Sequence, residues 1–232
     1  MTQKIDKISA TLMLSPVTKS EPLEQLTAKQ RPETYAAFLE WDPEGGHTEW
    51  VNGEAVQYMS TKLNHQTVVE FLAALLKAFA QLFNLGTVHT GPYTMRLPSG
   101  NAREPDVFFV TASKTQLLTE SELQAPADLV IEVISDDSVA RDRDTKFFEY
   151  QAAGVQEYWV IDPRPGRLRA DFFILGTDGQ YLPVAVQDGI FRSTIVQGFW
   201  LKINWLWQEQ PSVFKALAEI VGMDRLIQSL NS

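Results

Sequence analysis

The sequence predicts an α/β domain whose central elements follow the order helix, three strands, helix, strand. Apolar residues recur at helical spacing from Asn64 to about Leu82–Asn84, which predicts one long amphipathic helix. The continuous apolar run Leu129–Ile134 is typical of a strand that is covered on both faces. Asn52-Gly53 separates two strand-like segments and favours the positive φ angles of a type I′ hairpin turn.

Turn and capping signals predict the remaining elements. Asn64 is the predicted N-cap of the long helix. A second helix is expected over Asp142–Ala153, with Gly154 ending it. A short helix is expected after Pro32, and residues 112–127 are expected to form a polar loop. The predicted strands are Thr48–Val51 and Ala55–Met59 for the hairpin, then Thr87–Leu97, Pro105–Val110, Asp128–Ile134 and Glu157–Ile161, with two or three more between Leu168 and Ile203.

These elements divide the chain into three predicted parts. Residues 1–30 are polar and without clear periodicity, so we expect a flexible N-terminal extension. Residues 31–210 are expected to form the α/β domain. Residues 211–232 are expected to form a C-terminal amphipathic helix that begins at Pro211 and packs on the domain.

Composition narrows the classes of function. The chain has 232 residues, no cysteine and three histidines, so thiolate metal sites, disulfides and cysteine nucleophiles are excluded, and a histidine-rich zinc site is not expected. No signal peptide and no membrane span is predicted, and a cytoplasmic protein is expected. The net charge of −9 counts against a broad, non-specific nucleic-acid binding surface.

Glu132 is the most informative residue because it lies inside the apolar run Leu129–Ile134. A buried carboxylate is costly unless it is paired, protonated or bound to a metal. Asp106 opens another apolar strand, and Lys146 lies in the helix predicted after Glu132. Two acids holding Mg²⁺ or Mn²⁺ and one lysine are groups with which a phosphodiester can be hydrolysed, since hard divalent ions prefer oxygen ligands.

Each of these residues also has a structural interpretation. Glu132 can form a buried ion pair with Lys146 or an arginine, and Asp142 and Lys146 can form an ordinary pair on one helix face. His65 can be a hydrogen-bonded core residue. Glu49 is expected to face the core, whereas Glu54 is expected to be exposed. We therefore place His65, Glu49 and Asp142 in a second rank of candidate site residues.

Several segments together resemble a large bacterial family of restriction endonuclease-like proteins in the PD-(D/E)XK nuclease superfamily. The resemblance covers about residues 35–205, and its most specific part runs from Lys146 to Pro163. The segments that carry it are Arg103-Glu104-Pro105-Asp106, Ile131-Glu132-Val133-Ile134-Ser135, Arg141-Asp142 followed after three residues by Lys146, and Tyr150–Pro163.

The resemblance implies a fold, a cofactor and a set of roles. It implies a mixed sheet with the same order of helix, three strands, helix and strand. Asp106 and Glu132 would bind the metal, Mg²⁺ or Mn²⁺. Lys146 would be the catalytic lysine delivered from the helix, because Ile134 stands at the usual lysine position two residues after the glutamate. The implied activity is endonucleolytic hydrolysis of DNA, and RNA stays open as an alternative substrate. A homodimer is expected because duplex cleavage often needs two active sites and a hydrophobic dimer face would fit the tryptophans of the chain.

A second class of function stays open on the sequence alone. A catalytically inactive module that keeps the nuclease fold for interaction or regulation would fit the net charge of −9 and the tryptophans Trp200, Trp205 and Trp207, if these are exposed. A basic rim around Glu132, formed by Arg103, Arg141 and Arg143, would favour the nuclease; an acidic rim would favour the module.

Overall fold

The computed structural model describes residues 31–41, 47–58, 62–135 and 141–230, and of residues 58, 141, 142, 229 and 230 it describes the backbone only. Residues Arg31–Ser232 form one compact unit. The predicted N-terminal extension, residues 1–30, lies outside the described residues. Within the described part of the chain, no helix is long and apolar enough to cross a bilayer.

The described residues contain five α-helices. They are α1 (Tyr35–Leu39), α2 (Leu63–Leu82), α3 (Lys146–Ala153), α4 (Val213–Val221) and α5 (Met223–Leu230). A π-helical turn over Arg141–Thr145 precedes α3, and 3-10 helices cover Ala112–Leu117 and Ile203–Trp207.

The strands form three sheets. A six-stranded sheet has the order β11-β10-β9-β8-β6-β3, a five-stranded sheet has the order β2-β1-β5-β4-β7, and β12 pairs with β13. The strands are β1 (His47–Val51), β2 (Glu54–Tyr58), β3 (Gly86–Thr90), β4 (Thr94–Arg96), β5 (Ala102–Arg103), β6 (Val107–Thr111), β7 (Glu122–Leu123), β8 (Leu129–Val133), β9 (Glu157–Asp162), β10 (Arg169–Leu175), β11 (Tyr181–Pro183), β12 (Ile190–Arg192) and β13 (Trp200–Lys202).

The predicted order of helix, three strands, helix and strand is confirmed as α2, β3, β6, β8, α3 and β9. The sheet is mixed, because β8 runs parallel to β9 and antiparallel to β6. The predicted hairpin is also confirmed: β1 and β2 pair around Asn52 and Gly53, whose φ angles are 52° and 84°. Both angles are positive, as a type I′ turn requires.

Several boundaries were predicted wrongly. The single strand expected over Thr87–Leu97 is two strands, β3 and β4, which belong to different sheets. The turn at Gly91-Pro92 separates them, since a proline cannot donate to a continuing ladder. The loop expected over residues 112–127 contains a 3-10 helix and β7. Asn64 is not the N-cap, because α2 begins at Leu63 and Lys62 is the residue before it. The Asn64 side chain instead donates to the carbonyl oxygen of Pro163.

The helix after β8 and the C-terminal helical region also differ from the sequence prediction. The α-helical part of the expected Asp142–Ala153 helix begins at Lys146. Ser212, rather than Pro211, precedes the C-terminal helical region and caps α4 through the amide of Lys215. Gly222 separates α4 from α5, so two helices lie where the sequence predicts one.

The six-stranded sheet has an apolar layer on each face. Residues 129, 131 and 133 of β8 pack on the α2 side, whereas Val130 and Ile134 pack on the α3 side. Because side chains alternate along a strand, Glu132 must point to the α3 side. Its position in the core therefore follows from the same alternation that buries its neighbours.

A substitution at Gly86, the first residue of β3, tests how closely β3 packs against β6. A Cβ atom there would lie 2.0 Å from the carbonyl oxygen of Val110, and the residue has a φ of 153°. Gly86→Ala is expected to lower the free energy of unfolding by about 1–3 kcal/mol more than Gly179→Ala. Gly179 is the control because its φ is 77° but nothing lies within 4 Å of its added Cβ. Equal losses in urea unfolding curves would contradict the packing described for β3.

Candidate active site

Glu132 lies at the centre of the six-stranded sheet and is 2% exposed. Its Oε1 atom accepts hydrogen bonds from Lys146 Nζ at 2.8 Å and from the Tyr150 hydroxyl at 2.7 Å. Both donors come from α3, where an i, i+4 spacing puts them on one face. The helix that follows β8 thus supplies the partners that a buried carboxylate needs.

Lys146 is shared between two carboxylates. Its ammonium lies 2.8 Å from Glu132 Oε1 and 3.1 Å from Glu49 Oε1, and its side chain is only 4% exposed. Glu49 comes from β1 in the five-stranded sheet and is 2% exposed. One cation therefore joins the central strand of one sheet to a strand of the other.

Arg103 holds the other side of Glu49. Its Nη1 atom lies 2.8 Å from Glu49 Oε2, and its Nε atom donates to Glu149 Oε2 at 2.7 Å. The register that pairs Trp50 with Ala102 puts Glu49 opposite Arg103 on neighbouring strands. Burial would lower the pKa of Arg103, but the carboxylates of Glu49 and Glu149 raise it above its usual value. The guanidinium is therefore a fixed positive charge inside the protein.

These cations keep Glu49 ionised. Burial alone would raise its pKa, but the charges of Lys146 and Arg103 and their hydrogen bonds lower the pKa of Glu49 to about 2. Tyr150, which is fully buried, has a pKa well above its usual value because of burial and the nearby charges of Glu132 and Glu49. Its hydroxyl therefore stays protonated and remains a donor to Glu132.

Asp106 lies at the position opposite Glu132 on the neighbouring strand. The antiparallel register pairs Val107 with Ile131, so residues 106 and 132 follow as the next opposed positions. Asp106 Oδ2 accepts the backbone N–H of Val133 at 2.7 Å and lies 3.3 Å from His65 Nε2. The Asp106 side chain is 13% exposed, so this carboxylate is the more accessible of the two acids.

A second acid and histidine lie beside Asp106. Glu104 accepts the backbone N–H of Thr48 at 3.0 Å, and its Oε2 atom lies 3.6 Å from His47 Nδ1. The Glu104 carboxylate raises the pKa of His47 against the opposing effect of burial, and Asp106 raises it further. Asp106, His47 and His65 all line one cleft with a volume of ≈ 630 Å³. This cleft gives solvent access to Asp106 and the two histidines.

The fit of a divalent metal rests on the chemistry of these donors. Carboxylate oxygens are the ligands that Mg²⁺ and Mn²⁺ prefer, and Asp106 and Glu132 bring two of them to opposed strand positions. Within the described residues, no group of three or more His, Asp or Glu side chains is arranged to hold an ion. The residues therefore fit a hard cation in ligand type, with remaining ligands left to water and substrate.

The structure describes the side chains of five of the six candidate residues, and these form two contacting groups. Glu132, Lys146 and Glu49 form one group, and Asp106 and His65 form the other. The backbone N–H of Val133, the residue after Glu132, donates to Asp106 between them. The sixth, Asp142, lies in the π-helical turn, and its side chain is outside the described residues. Glu49 faces the core and Glu54 is exposed, as the sequence predicts.

The sequence left open whether Arg103, Arg141 and Arg143 form a basic rim around Glu132, and the two of these side chains that the structure describes are paired with carboxylates. Arg103 is 1% exposed and forms part of the buried network. Arg143 pairs with Asp171 at 2.7 Å, and the Arg141 side chain lies outside the described residues. The tryptophans Trp200, Trp205 and Trp207 are half-buried, and the ring centroids of Trp200 and Trp205 lie 5.4 Å apart in a stacked pair. These residues therefore do not form the exposed face that the sequence suggested.

Sequence reasoning missed the roles of Tyr150, Glu149 and Arg103 in supporting the site. The signal for the first two was present, because they follow Lys146 at i+4 and i+3 on the predicted helix. Arg103 could not be assigned, since its partner Glu49 is 54 positions away in the chain. Only the pairing of β1 with β5 brings them together.

The sequence profile of the Uma2 family, described as "Putative restriction endonuclease", matches residues 33–204. The chain belongs to this family. Among solved structures, the chain is similar to one described as "a putative nuclease belonging to DUF820" from Anabaena variabilis, with a TM-score of 0.61 and 15% sequence identity. The match covers 76% of this chain and 98% of that one. No curated protein matches this sequence.

These findings show a restriction endonuclease-like family and fold and support a nuclease-like function. At 15% sequence identity, the similarity to the solved structure shows the fold alone. Nucleases of this type generally use divalent metals and act on nucleic acids. The roles of individual residues must therefore be argued from the geometry of this chain.

Glu49 gives the network a measurable pH dependence. Its pKa is lowered from 4.5 to about 2, so its stabilising contribution is present above pH 4.5 and is lost as the pH falls toward 2. We expect wild-type protein to lose about 3 kcal/mol of unfolding free energy through this group over that range. The Glu49→Gln variant should be less stable than wild-type protein at neutral pH. Its free energy of unfolding should also fall less than that of wild-type protein as the pH falls from 4.5 toward 2.

The measurement is urea unfolding, followed by tryptophan fluorescence at a series of pH values. Glu54→Gln on the same hairpin is the matched control, because Glu54 is exposed. The buried network would be contradicted if the two variants had the same stability and the same pH profile.

Proposed function

We propose that this protein is a divalent-metal-dependent endonuclease that hydrolyses phosphodiester bonds of DNA. The observation that carries the proposal is the opposition of Asp106, the residue before β6, and Glu132 on β8, with Lys146 held 2.8 Å from Glu132. This arrangement brings two oxygen ligands and one cation to neighbouring positions, and Asp106 lines the cleft. The membership of the chain in a restriction endonuclease-like family supports the same activity.

Asp106 and Glu132 would hold Mg²⁺ or Mn²⁺, which neutralises charge on the scissile phosphate and lowers the pKa of a bound water. Asp106 is oriented by the backbone N–H of Val133, and Glu132 by the Tyr150 hydroxyl. These hydrogen bonds fix both carboxylates before substrate binds, which lowers the cost of ordering them during the reaction.

Lys146 acts as a cation in this proposal. The low pKa of Glu49, about 2, keeps a negative charge beside the ammonium. A neighbouring anion favours the charged form of a lysine, so Lys146 is suited to stabilise negative charge on a phosphoryl oxygen or to orient the attacking water. His65, 3.3 Å from Asp106, and Glu49 support these groups rather than touching the reacting atoms.

The rival function is a non-catalytic module with the same fold. It is favoured by two observations: the Lys146 ammonium already pairs with Glu132, and the chain carries a net charge of −9. In that case Glu132 and Lys146 would form only a structural ion pair. The rival predicts that metal does not bind the folded protein and that no nucleic acid is hydrolysed.

The proposal extends to location and assembly. A cytoplasmic setting is supported by the absence of cysteine from the sequence. A homodimer would provide two active sites for cleavage of both strands of a duplex.

Substitution of Asp106 or Glu132 distinguishes the nuclease from the non-catalytic module. Glu132→Gln and Asp106→Asn are each expected to weaken Mn²⁺ binding and metal-dependent hydrolysis of fluorescent DNA at least about 100-fold, because each removes a charged ligand. Asp162→Asn is the control: Asp162 is a buried acid at the end of the adjacent strand β9, but it pairs with Arg164. Its variant should keep metal binding and activity.

Calorimetry measures metal binding, and circular dichroism checks the fold of each variant. Full activity in folded Glu132→Gln protein would contradict the proposed mechanism. Folded wild-type protein that neither binds Mn²⁺ nor cleaves DNA in its presence would favour the non-catalytic module.

A further inference from the structure

His47, the first residue of β1, is a titratable side chain that has no role in the mechanism proposed above. Side chains alternate along a strand, so His47 shares a face of β1 with Glu49, the carboxylate that contacts Lys146. His47 lines the cleft together with Asp106, and its side chain is 33% exposed. It therefore lies on the side of the hairpin that faces the candidate site, in contact with solvent.

The turn after β3 holds the His47 ring next to the chain at Asp106. A Cβ atom at Gly91 would lie 2.9 Å from His47 Cε1 and 3.1 Å from its Nδ1 atom, so the ring packs directly on the Gly91 backbone. The Gly91 N–H donates to the carbonyl oxygen of Pro105 at 3.1 Å and lies 3.4 Å from that of Asp106. One short stretch of backbone thus contacts both the imidazole and the segment that carries Asp106.

Glu104 determines which nitrogen of His47 can reach a ligand. Its Oε2 atom lies 3.6 Å from His47 Nδ1, and contacts of this kind are often long before substrate binds. The Glu104 carboxylate is itself held by Thr48, whose backbone N–H donates to Oε2 at 3.0 Å and whose hydroxyl donates to Oε1 at 3.3 Å. Because Glu104 engages Nδ1, Nε2 is the nitrogen that can exchange a proton with a ligand in the cleft.

The charges around His47 favour its protonated form. The contact with Glu104 has the largest effect and raises the pKa of His47 above 6.5, and the charge of Asp106 raises it further. Burial and the charge of Lys146 on α3 act in the opposite direction and are outweighed. The other residues with titratable side chains that line the cleft come from α2, β3 and the turn after β3: His65, Glu70, Lys77, His89 and Tyr93. The imidazolium therefore persists to higher pH than that of an unperturbed histidine.

Hydrolysis of a phosphodiester needs a proton donor as well as an attacking water. When the bond between phosphorus and the leaving sugar oxygen breaks, the electron pair stays on that oxygen. A side chain that protonates the oxygen at this point typically accelerates the reaction by roughly 10²–10⁴-fold. In the proposed mechanism Asp106 and Glu132 hold the metal, and Lys146 stabilises charge or orients the water. The proton for the leaving oxygen is left to another group.

We propose that His47, oriented by Glu104, is the general acid that protonates the leaving sugar oxygen. The water oxygen forms a bond to phosphorus and the water gives up one proton to solvent, while the bond from phosphorus to the sugar oxygen breaks. The proton on His47 Nε2 moves to that oxygen, and the neutral imidazole then takes a proton back from solvent. His47 is thus a catalytic residue and Glu104 a positioning residue. The assignment rests on the proposed nuclease function.

The first test compares two leaving groups. His47→Gln keeps a polar side chain but removes the acid, so the kcat for DNA hydrolysis is expected to fall about 100-fold. Hydrolysis of the para-nitrophenyl ester of thymidine monophosphate is expected to fall less than about threefold, because nitrophenolate leaves without a proton. His89→Gln is the matched control and should keep both activities, since the His89 ring stacks on Phe108 in the core.

The second test concerns the orienting carboxylate. DNA hydrolysis is expected to fall as the pH rises through the pKa of His47, because the imidazolium is lost. Glu104→Gln should move this fall to lower pH. Nuclear magnetic resonance of the metal-free protein measures the same pKa without activity, with the His47 signal identified by its loss in His47→Gln. The pKa should lie above 6.5 in wild-type protein and should be lower in Glu104→Gln. Circular dichroism checks the fold of each variant.

The outcomes distinguish this inference from the proposed function. Equal losses on DNA and on the ester in folded His47→Gln, or a raised KM with unchanged kcat, would overturn the acid role and leave the nuclease function standing. If wild-type protein cleaves DNA but not the ester, the pH profile decides, and an alkaline fall that is unchanged in Glu104→Gln would overturn the inference. Wild-type protein that cleaves no DNA would remove both the nuclease function and the role of His47.

Discussion

The ammonium of Lys146, shared between Glu132 and Glu49, is the interaction on which the rest of this structure depends. Glu132 is 2% exposed in the central strand of the main sheet, and Glu49 is 2% exposed in a strand of the smaller sheet. Removing one member of such a group leaves an uncompensated buried charge, which typically costs about 3–5 kcal/mol. The same cation therefore binds two buried carboxylates, one from each of the two sheets.

Arg103 extends this interaction into a connection between the two sheets. It binds Glu49 on β1 and Glu149 on α3, so the hairpin, β5 and α3 are fixed relative to each other by charged hydrogen bonds. Replacing a buried ion network with apolar residues is often neutral or stabilising, so stability alone is a weak reason for such a network. Its geometry serves the site instead, because it sets the position of Lys146 beside Glu132. The residues that join the two sheets are therefore also the ones that position the candidate site.

The order of elements could be predicted because it depends on local signals. The 3.6-residue period of α2, the Asn52-Gly53 turn and the apolar run around Glu132 each report on their own segment. Glu132, Asp106 and Lys146 could be selected because charges are out of place in or beside buried strands. The break between β3 and β4 was missed because the apolar pattern continues on both sides of Gly91-Pro92. The supporting role of Arg103 was missed, since its partner Glu49 is distant in sequence and only strand pairing shows that both are buried.

Anomalous X-ray diffraction from crystals grown with Mn²⁺ tests the central claim most directly, namely that Asp106 and Glu132 together hold a divalent cation. The account predicts a manganese peak shared by the carboxylates of Asp106 and Glu132, with Lys146 moved away from Glu132 and still in contact with Glu49. Full retention of the contact between Lys146 and Glu132, with no manganese at Asp106 under saturating Mn²⁺, would contradict it and leave the pair a structural one.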